Sequence, residues 1–494
     1  MKYMKIKLFT LAAVGALSFT GCKKFLDVNT NPNIANDPEV ALVLPSSQVA
    51  IAHVLGNQFQ VNGSFWAQYW TQSPLANQYK QYDQYQPSTD NYNRSWRILY
   101  NDALTDLQYV YNKAKSENGK QYMAVARLLQ AYTFHLITDA WGDAPFSEAI
   151  KALEADGGLV NPKYDMQSAI YEGIIAHIDE AVSLIDFDSE AHPGGDDLIY
   201  GGDMHLWMEF AHTLKLKVAM RMSEVDPARA QAVIASIESD PAFIGFIAAE
   251  GEDAKVNFTQ DGGSQNPLYS EMVGLSRTQN LFASKTCVDS MNSSSDPRVF
   301  VFYKPVGGQV VGITQGDYNN STNATGKSIP SSAVAGEAAN DASAEAPVRF
   351  ISSYESLLLQ AEAAARGWLT GDDAALYSAG IDASFEAYGI TDAAEIGYYK
   401  DSTYWGVYPA AGTTAEKVRH IVTQKWFSMC GNQGFEAWTE WRRTGYPDFL
   451  VISVNSLIGN LRPARFVYPT DEINLNSEFP GLKSVDKHVW WDVN

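Results

Sequence analysis

Apolar residues recur at spacings of three and four along most of this chain, the period with which an α-helix presents one face to a core. Trp96, Leu99, Tyr100, Ala103, Leu107 and Val110 form one such stripe, with Gly119 beyond its end. Val125, Leu128, Leu129, Tyr132, Leu136 and Ala140 form the next, closed by Gly142 and Pro145. Ile170, Ile174, Ala181 and Leu184 make a third. Asp203 is placed to cap a fourth that turns Trp207, Phe210, Leu214, Val218 and Met222 inward. Ser352 with Glu355, and Thr413 with Glu416, have the spacing of capping boxes. The first precedes Tyr354, Leu357, Leu358, Ala361 and Ala365, with a partner helix from Ala374 to Tyr388 after Gly371. The second precedes Val418, Ile421, Val422 and Trp426, which Gly431 separates from Phe435, Trp438 and Trp441. These stripes predict helix–turn–helix units near 95–141, 167–224, 354–389 and 415–445. The third is close to the roughly 34-residue length of a tetratricopeptide pair, although the residue pattern of that repeat is not visible. Periodicity alone therefore predicts a mainly α fold of stacked helical hairpins.

Residues 242–350 break the pattern, being rich in Gly, Ser, Asn and Pro. Val299 to Tyr303 and Val310 to Ile313, flanking Gly307-Gly308, read as a β-hairpin. Residues 315–345 read as long polar loops, the kind of segment that carries binding residues on a rigid scaffold.

The N-terminus reads as an address. Lys2, Lys5 and Lys7 precede an apolar run from Leu8 to Phe19, which is shorter than the about 20 residues of a membrane span and has the form of a secretory signal peptide. Thr20-Gly21-Cys22 ends it, and a cysteine directly after glycine there has the form of a lipobox with Cys22 as the lipidated residue. The expected division is signal peptide 1–21, lipidated tether 22–38 and a helical binding domain 39–494. Membrane attachment is expected through the lipid alone.

Charge narrows the function. Lys and Arg total 36 against 57 Asp and Glu, a formal charge of −21. So acidic a body has no general basic field for phosphate backbones, which argues against nucleic acid as a partner. Only Cys287 and Cys430 remain besides Cys22, without a CxxC, so thiolate zinc sites are disfavoured and the pairing of these two stays open. No HExxH, GxSxG or GxGxxG occurs. Gly326-Lys327-Ser328 ends like a phosphate loop but has Ser321 where the first Gly belongs. Asp27, Asn29 and Asn31 open like a calcium loop, but Pro32 stands where the turn needs Gly. His135, His205 and His212 lie on or near helical stripes and read as core or surface residues. No metal, cofactor or catalytic group is expected. Phe435 to Pro447, with Glu436, Glu440, Arg442 and Arg443, reads as a structural cluster with partly buried ion pairs.

Residues 62–96 are the densest recognition candidate, interleaving Trp66, Tyr69, Trp70, Tyr79, Tyr82, Tyr85, Tyr92 and Trp96 with Gln, Asn and Asp. Trp66 to Trp70 end one helix and Trp96 begins the next. Tyr79, Tyr82 and Tyr85 lie between them in a Gln-rich run without a helical stripe. An aromatic face covers the apolar C–H face of a sugar ring while amides and carboxylates pair its hydroxyls. The ligand-binding candidates are Tyr79, Tyr82, Tyr85 and Trp66, with Tyr303, Tyr318, Tyr404 and Trp405 in later loops. The rival reading has the tyrosines simply covering a loop.

Several segments in order resemble the SusD/RagB family of outer-membrane nutrient-binding lipoproteins, in particular its SusD-like branch. Phe25-Leu-Asp-Val-Asn-Thr-Asn-Pro-Asn33 comes after the lipobox, and Ala126-Arg-Leu-Leu-Gln-Ala-Tyr132 leads to Trp141-Gly-Asp-Ala-Pro145. Asp296-Pro-Arg298, Pro347-Val-Arg-Phe-Ile351 and Ala361-Glu-Ala-Ala-Ala-Arg-Gly367 come next. Gly434-Phe-Glu-Ala-Trp-Thr-Glu-Trp-Arg-Arg-Thr-Gly-Tyr-Pro447 and Arg462-Pro-Ala-Arg-Phe-Val-Tyr-Pro469 close the series. The resemblance implies four tetratricopeptide-like helix pairs beneath a loop-rich binding face. It also implies a SusC-like TonB-dependent transporter as partner, and an oligosaccharide or a peptide as ligand, captured facing the cell exterior. Lys23-Lys24 directly after Cys22 departs from an acidic export signal. The competing readings are a peptide-binding RagB-like lipoprotein, a helical glycosidase and a tetratricopeptide-type adaptor.

Overall fold

The computed structural model describes residues 37–151 and 158–494. The expected signal peptide, Cys22 and the expected tether up to residue 36 lie outside the described residues. Residues 40–494 form one compact unit.

The chain enters this unit through α1 (Val40–Val54), which passes through a π-helical turn (Leu55–Phe59) into α2 (Gln60–Trp66). A short strand β1 (Trp70–Gln72) and one helical turn, α3 (Lys80–Asp83), lead to α4 (Asn93–Arg97). A second π-helical stretch (Ile98–Leu104) joins α4 to α5 (Thr105–Ser116), which pairs with α6 (Lys120–Trp141). Next come α7 (Gln167–Leu184), α8 (Met204–Arg221) and α9 (Pro227–Glu238). Asp203 caps α8 as expected, its carboxylate accepting from the backbone N–H groups of His205 and Leu206.

The segment between α9 and residue 350 holds α10 (Pro267–Gly274), α11 (Lys285–Ser293) and a four-residue helix α12 (Val299–Phe302), besides 3-10 turns. The expected hairpin is therefore corrected: Val299 to Phe302 is helical. The cause is local. Asp296 accepts from the N–H of Arg298 at 3.0 Å, and Pro297 fixes a helical φ, so Asp-Pro-Arg opens a turn that overrides the β preference of Val and Phe. Gly307 and Gly308 do make a tight turn at positive φ, but it closes only a Val306–Gln309 bridge, while Tyr303 bridges Pro330 and Ile313 bridges Ser284.

The last two pairs are α13 (Ser353–Ala365) with α14 (Asp373–Ala387), then, after α15 (Ala393–Ser402), α16 (Thr414–Ser428) with α17 (Gly434–Thr444). Thr413 and Glu416 form the full capping box. The four expected helix pairs are thus present, and their helices pack in succession, each burying its stripe on the next, as in tetratricopeptide-like stacks.

Two interior features tie the stack together. One is aromatic. Trp438 lies flat on Phe466 at 5.4 Å and receives Trp66 edge-on at 4.7 Å, while Tyr92 stacks on the Phe466 ring at 4.5 Å. The other is ionic. Arg221 of α8 pairs with Asp139 of α6 at 3.1 Å, with Glu436 at 2.7 Å and with Glu440. Lys217 bridges Glu355 and Glu436, Lys425 reaches Glu440 at 3.2 Å, and Arg443 links Glu440 to Glu362. The Phe435–Pro447 cluster is structural, as expected, and its ion pairs are fully buried rather than partly so.

Candidate functional site

Two π-helical segments contribute to one cavity, the first continuing α1 and the second packed against α1. A π turn adds a residue per turn and re-aims its side chains, and such turns gather at functional sites. Here Asn57 and Gln58, in the first π turn, and Ile98, at the start of the second, line a cavity of about 400 Å3. Its remaining walls come from α1 (His53, Val54), α2 (Val61), the loop and turn around α3 (Gln78, Tyr79, Gln81, Tyr82), α4 (Arg94, Ser95) with Asn91 just before it, and the end of α10 (Glu271, Leu275, Arg277).

The polar groups of the wall are held in place by one another. Asn57 Nδ2 donates to Glu271 Oε2 at 2.8 Å, Arg277 Nη1 donates to Glu271 Oε1 at 2.5 Å, and the Tyr79 hydroxyl donates to the same oxygen at 3.4 Å. Gln58 donates to the Asn91 carbonyl and accepts from Ser95. The Tyr82 hydroxyl accepts from Asn91 Nδ2 at 3.4 Å. Burial, then the Glu271 charge, raises the Tyr79 phenol far above its ordinary range, and burial likewise raises Tyr82, so both are neutral hydroxyls. His53 is pushed below the ordinary histidine value by burial and then by Arg94.

Of the aromatic candidates, only Tyr79 and Tyr82 line this cavity. They are 5% and 4% exposed, stack on each other at 5.8 Å and both set an edge on Phe65. They share a core with each other, contrary to the expectation of tyrosines on an unstructured loop, because α3 folds this run into a helical turn whose N–H groups bond back to Tyr79 and Lys80.

The other candidates stand elsewhere. Tyr85 is buried at positive φ, its hydroxyl accepting from the Ser453 N–H at 3.0 Å. Trp66 is wholly buried and donates to the Tyr82 carbonyl at 3.0 Å. Tyr303, also wholly buried, donates to the Tyr69 carbonyl at 2.9 Å and touches Cys430 Sγ at 3.2 Å. Tyr318 is covered by Lys80, 5.0 Å above its ring. Tyr404 is 63% exposed and packs edge-on against the buried Trp405, with Arg419 above both. Cys287 and Cys430 are buried free thiols with sulfurs 3.7 Å apart.

The sequence reading missed His53, Asn57, Gln58, Arg94, Glu271 and Arg277. One signal was present: Asn57 and Gln58 interrupt an otherwise apolar helix between Val54-Leu55 and Phe59. Glu271 and Arg277 lie more than 200 residues away and carry no local mark. Among the described residues no group of three His, Cys, Asp or Glu converges as a metal site. His135 and His212 are buried, while His205 lies exposed against Phe187.

Comparison with known proteins gives the lineage. A SusD-like family model, described as "starch-binding associating with outer membrane", matches residues 32–469. A solved chitin-binding protein superposes with a TM-score of 0.75 at 26% identity, covering 92% of this chain and 100% of its own. A SusD homologue from Bacteroides vulgatus gives 0.73 at 22% identity, over 88% of this chain and 92% of that one. A chitin-binding SusD homologue from Flavobacterium johnsoniae gives 0.72 at 22% identity, over 91% and 99%. The latter two likenesses speak for the fold alone. No curated protein matches the sequence.

Proposed function

Since this chain belongs to the SusD-like family, we propose that it is an outer-membrane nutrient-binding lipoprotein that captures an oligosaccharide in the cavity between α1, α3 and α10. The observation that carries this reading is the lining itself. Side-chain amides of Asn57, Gln58, Gln78, Gln81 and Asn91 surround two neutral tyrosines and the apolar Val54, Val61 and Ile98. Amides donate and accept at once, as sugar hydroxyls require, and the apolar patches suit C–H faces. The volume of about 400 Å3 lies in the range of small-molecule sites. Glycan binding is also what the family description and two of the structural neighbours carry in their names.

Capture rather than hydrolysis fits the acids present. Glycoside hydrolysis ordinarily uses two carboxyl groups across the scissile bond. The cavity wall has one, Glu271, and both its oxygens are engaged by Asn57, Arg277 and Tyr79. In this reading Cys22 carries the lipid anchor, the binding face looks outward, and the captured sugar passes to a SusC-like TonB-dependent transporter.

Titration calorimetry of the full-length protein in detergent against starch- and chitin-derived oligosaccharides and a peptide panel tests the reading. A sugar is expected to bind. Tyr79→Ala is expected to weaken it at least tenfold, about 1.4 kcal/mol, and Tyr79→Phe, which keeps the ring, to restore most of it. Melting curves of both variants separate lost contacts from lost folding. Binding of peptides alone would transfer the cavity to the RagB-like reading.

A further inference from the structure

Around this cavity the charge runs against the rest of the molecule. The chain as a whole carries −21, yet the charged residues on the cavity wall are Arg94 and Arg277 against the single acid Glu271, with His53 beside them. Glu271 neutralises Arg277, since the two form an ion pair at 2.5 Å. Arg94 is different. It is exposed at the mouth, and no carboxylate among the described residues pairs with it. A second hollow of about 390 Å3 shares His53, Arg94 and Ile98 with the first and is edged by Arg97 and Asp102, so the two hollows adjoin as a groove with Arg94 on the wall of both. Arg97 is likewise exposed and without an ion-pair partner among the described residues.

We infer that the groove takes an acidic oligosaccharide, one bearing a carboxylate such as a uronic acid, and that Arg94 is the residue that receives the acid group. This rests on the oligosaccharide reading above and narrows it. A guanidinium offers a planar fork that matches a carboxylate with two parallel hydrogen bonds, and such charge-assisted pairs are stronger than neutral ones. The long-range field of so acidic a protein repels an anionic ligand. A local, unneutralised arginine is therefore what an acidic ligand needs and what a neutral one does not.

His53 adds a pH signature. The charged groups around it are Arg94, Glu271 and the Glu271-paired Arg277 on the cavity side and Arg97 and Asp102 along the groove. Burial and then Arg94 disfavour its protonation in the free protein, with Glu271 opposing. A ligand carboxylate seated on Arg94 offsets that positive charge and favours the protonated imidazole. Acidic ligands then bind with uptake of a proton and bind more tightly as the pH falls from 7 toward 5, whereas neutral ligands show no such dependence.

The experiment is calorimetry of the full-length protein in detergent with a tetrasaccharide of galacturonic acid, its neutral galactose counterpart and a chitin-derived tetrasaccharide. It is run at pH 7 and pH 5.5 and at low and high salt. The expected result is a preference for the acidic sugar of at least tenfold that shrinks with salt. Arg94→Gln is expected to abolish that preference and Arg94→Lys to retain part of it. Equal or tighter binding of the neutral sugars, with a preference that Arg94→Gln does not change, overturns the inference while leaving the cavity as a glycan site. Failure of all three sugars to bind overturns both the inference and the glycan reading of the cavity.

Discussion

Glu440 shows how much of this fold hangs on single buried charges. It faces Arg221, Lys425 and Arg443 at once, in surroundings with almost no solvent. Burial alone raises a carboxyl, but these three cations hold Glu440 far below the usual carboxylate range. Glu440→Gln strips the cluster of one counter-charge and leaves buried cations short of a partner, the situation that costs about 3–5 kcal/mol. Urea unfolding should show that loss as a lower midpoint with an unchanged slope. The sign of the pH dependence comes from the same geometry. A carboxyl whose folded value is depressed contributes stability that is present above its ordinary value of 4.5 and lost as the pH falls below it. His135, buried beside Asp139, is pushed down to about 4, first by its burial. Its neutral form therefore adds stability above 6.5 that is lost as the pH falls through 4. Melting temperature relative to the wild type should accordingly improve for His135→Gln between pH 6.5 and 4, and a constant offset across that window would remove His135 from the account.

At the scale of elements, the structure brings together β1, α3 and the loop at Gln315 through one buried carboxylate. Asp83 accepts from the Thr71 hydroxyl at 2.9 Å, the Gln72 N–H at 2.8 Å and Gln315 Nε2 at 2.6 Å, all three of them neutral donors. Burial, opposed by those three donors, raises it to about 7. A folded value above the unfolded one means that its contribution is complete below about pH 4 and is lost as the pH rises through 7. Asp83→Asn should remove this dependence, so the melting-temperature difference between wild type and variant should drift against the wild type from pH 5 to pH 8. The same elements show what sequence can and cannot carry. Helices α6, α8, α13 and α16 were legible because their stripes and caps are local: Asp203 and Thr413 cap as their spacing says. The hairpin expected at Val299 does not form because the turn opened by Asp296 and Pro297 outweighs the β preference of Val299 to Phe302. The cavity was half legible. Tyr79 and Tyr82 stood out as aromatics among amides, but Arg94, Glu271 and Arg277 meet only through tertiary packing, and no periodicity in the chain announces which charges a fold will bring face to face.

For the whole molecule, the remaining question is what holds it at a membrane. Among the described residues, one helix, the run Val40–Trp66 formed by α1, the π turn and α2, is long and apolar enough to cross a bilayer by length and composition. More than half of its most apolar window is buried within the protein: Phe59 and Trp66 are wholly enclosed at the aromatic centre around Phe466, and Phe65 is buried against Tyr79 and Tyr82. Withdrawing that face into lipid would strip the core of its packing partners and expose Trp438 and Phe466, a cost that the gain of an apolar solvent for Leu42 and Val49 does not offset. The anchor is therefore expected at Cys22, where acyl chains each contribute about 0.8 kcal/mol per buried CH₂ and more than one chain is needed for stable attachment. The discriminating measurement is fractionation of cells expressing the full-length Cys22→Ser variant, with fatty-acid labelling of the wild type as the parallel readout. Release of the variant into the soluble fraction, together with label on the wild type alone, supports a lipid anchor on a body that does not span the bilayer. Retention of the unlabelled variant in carbonate-washed membranes would shift the attachment to the Val40–Trp66 run and would require the α1–α2 packing against α17 to open in the membrane-bound form.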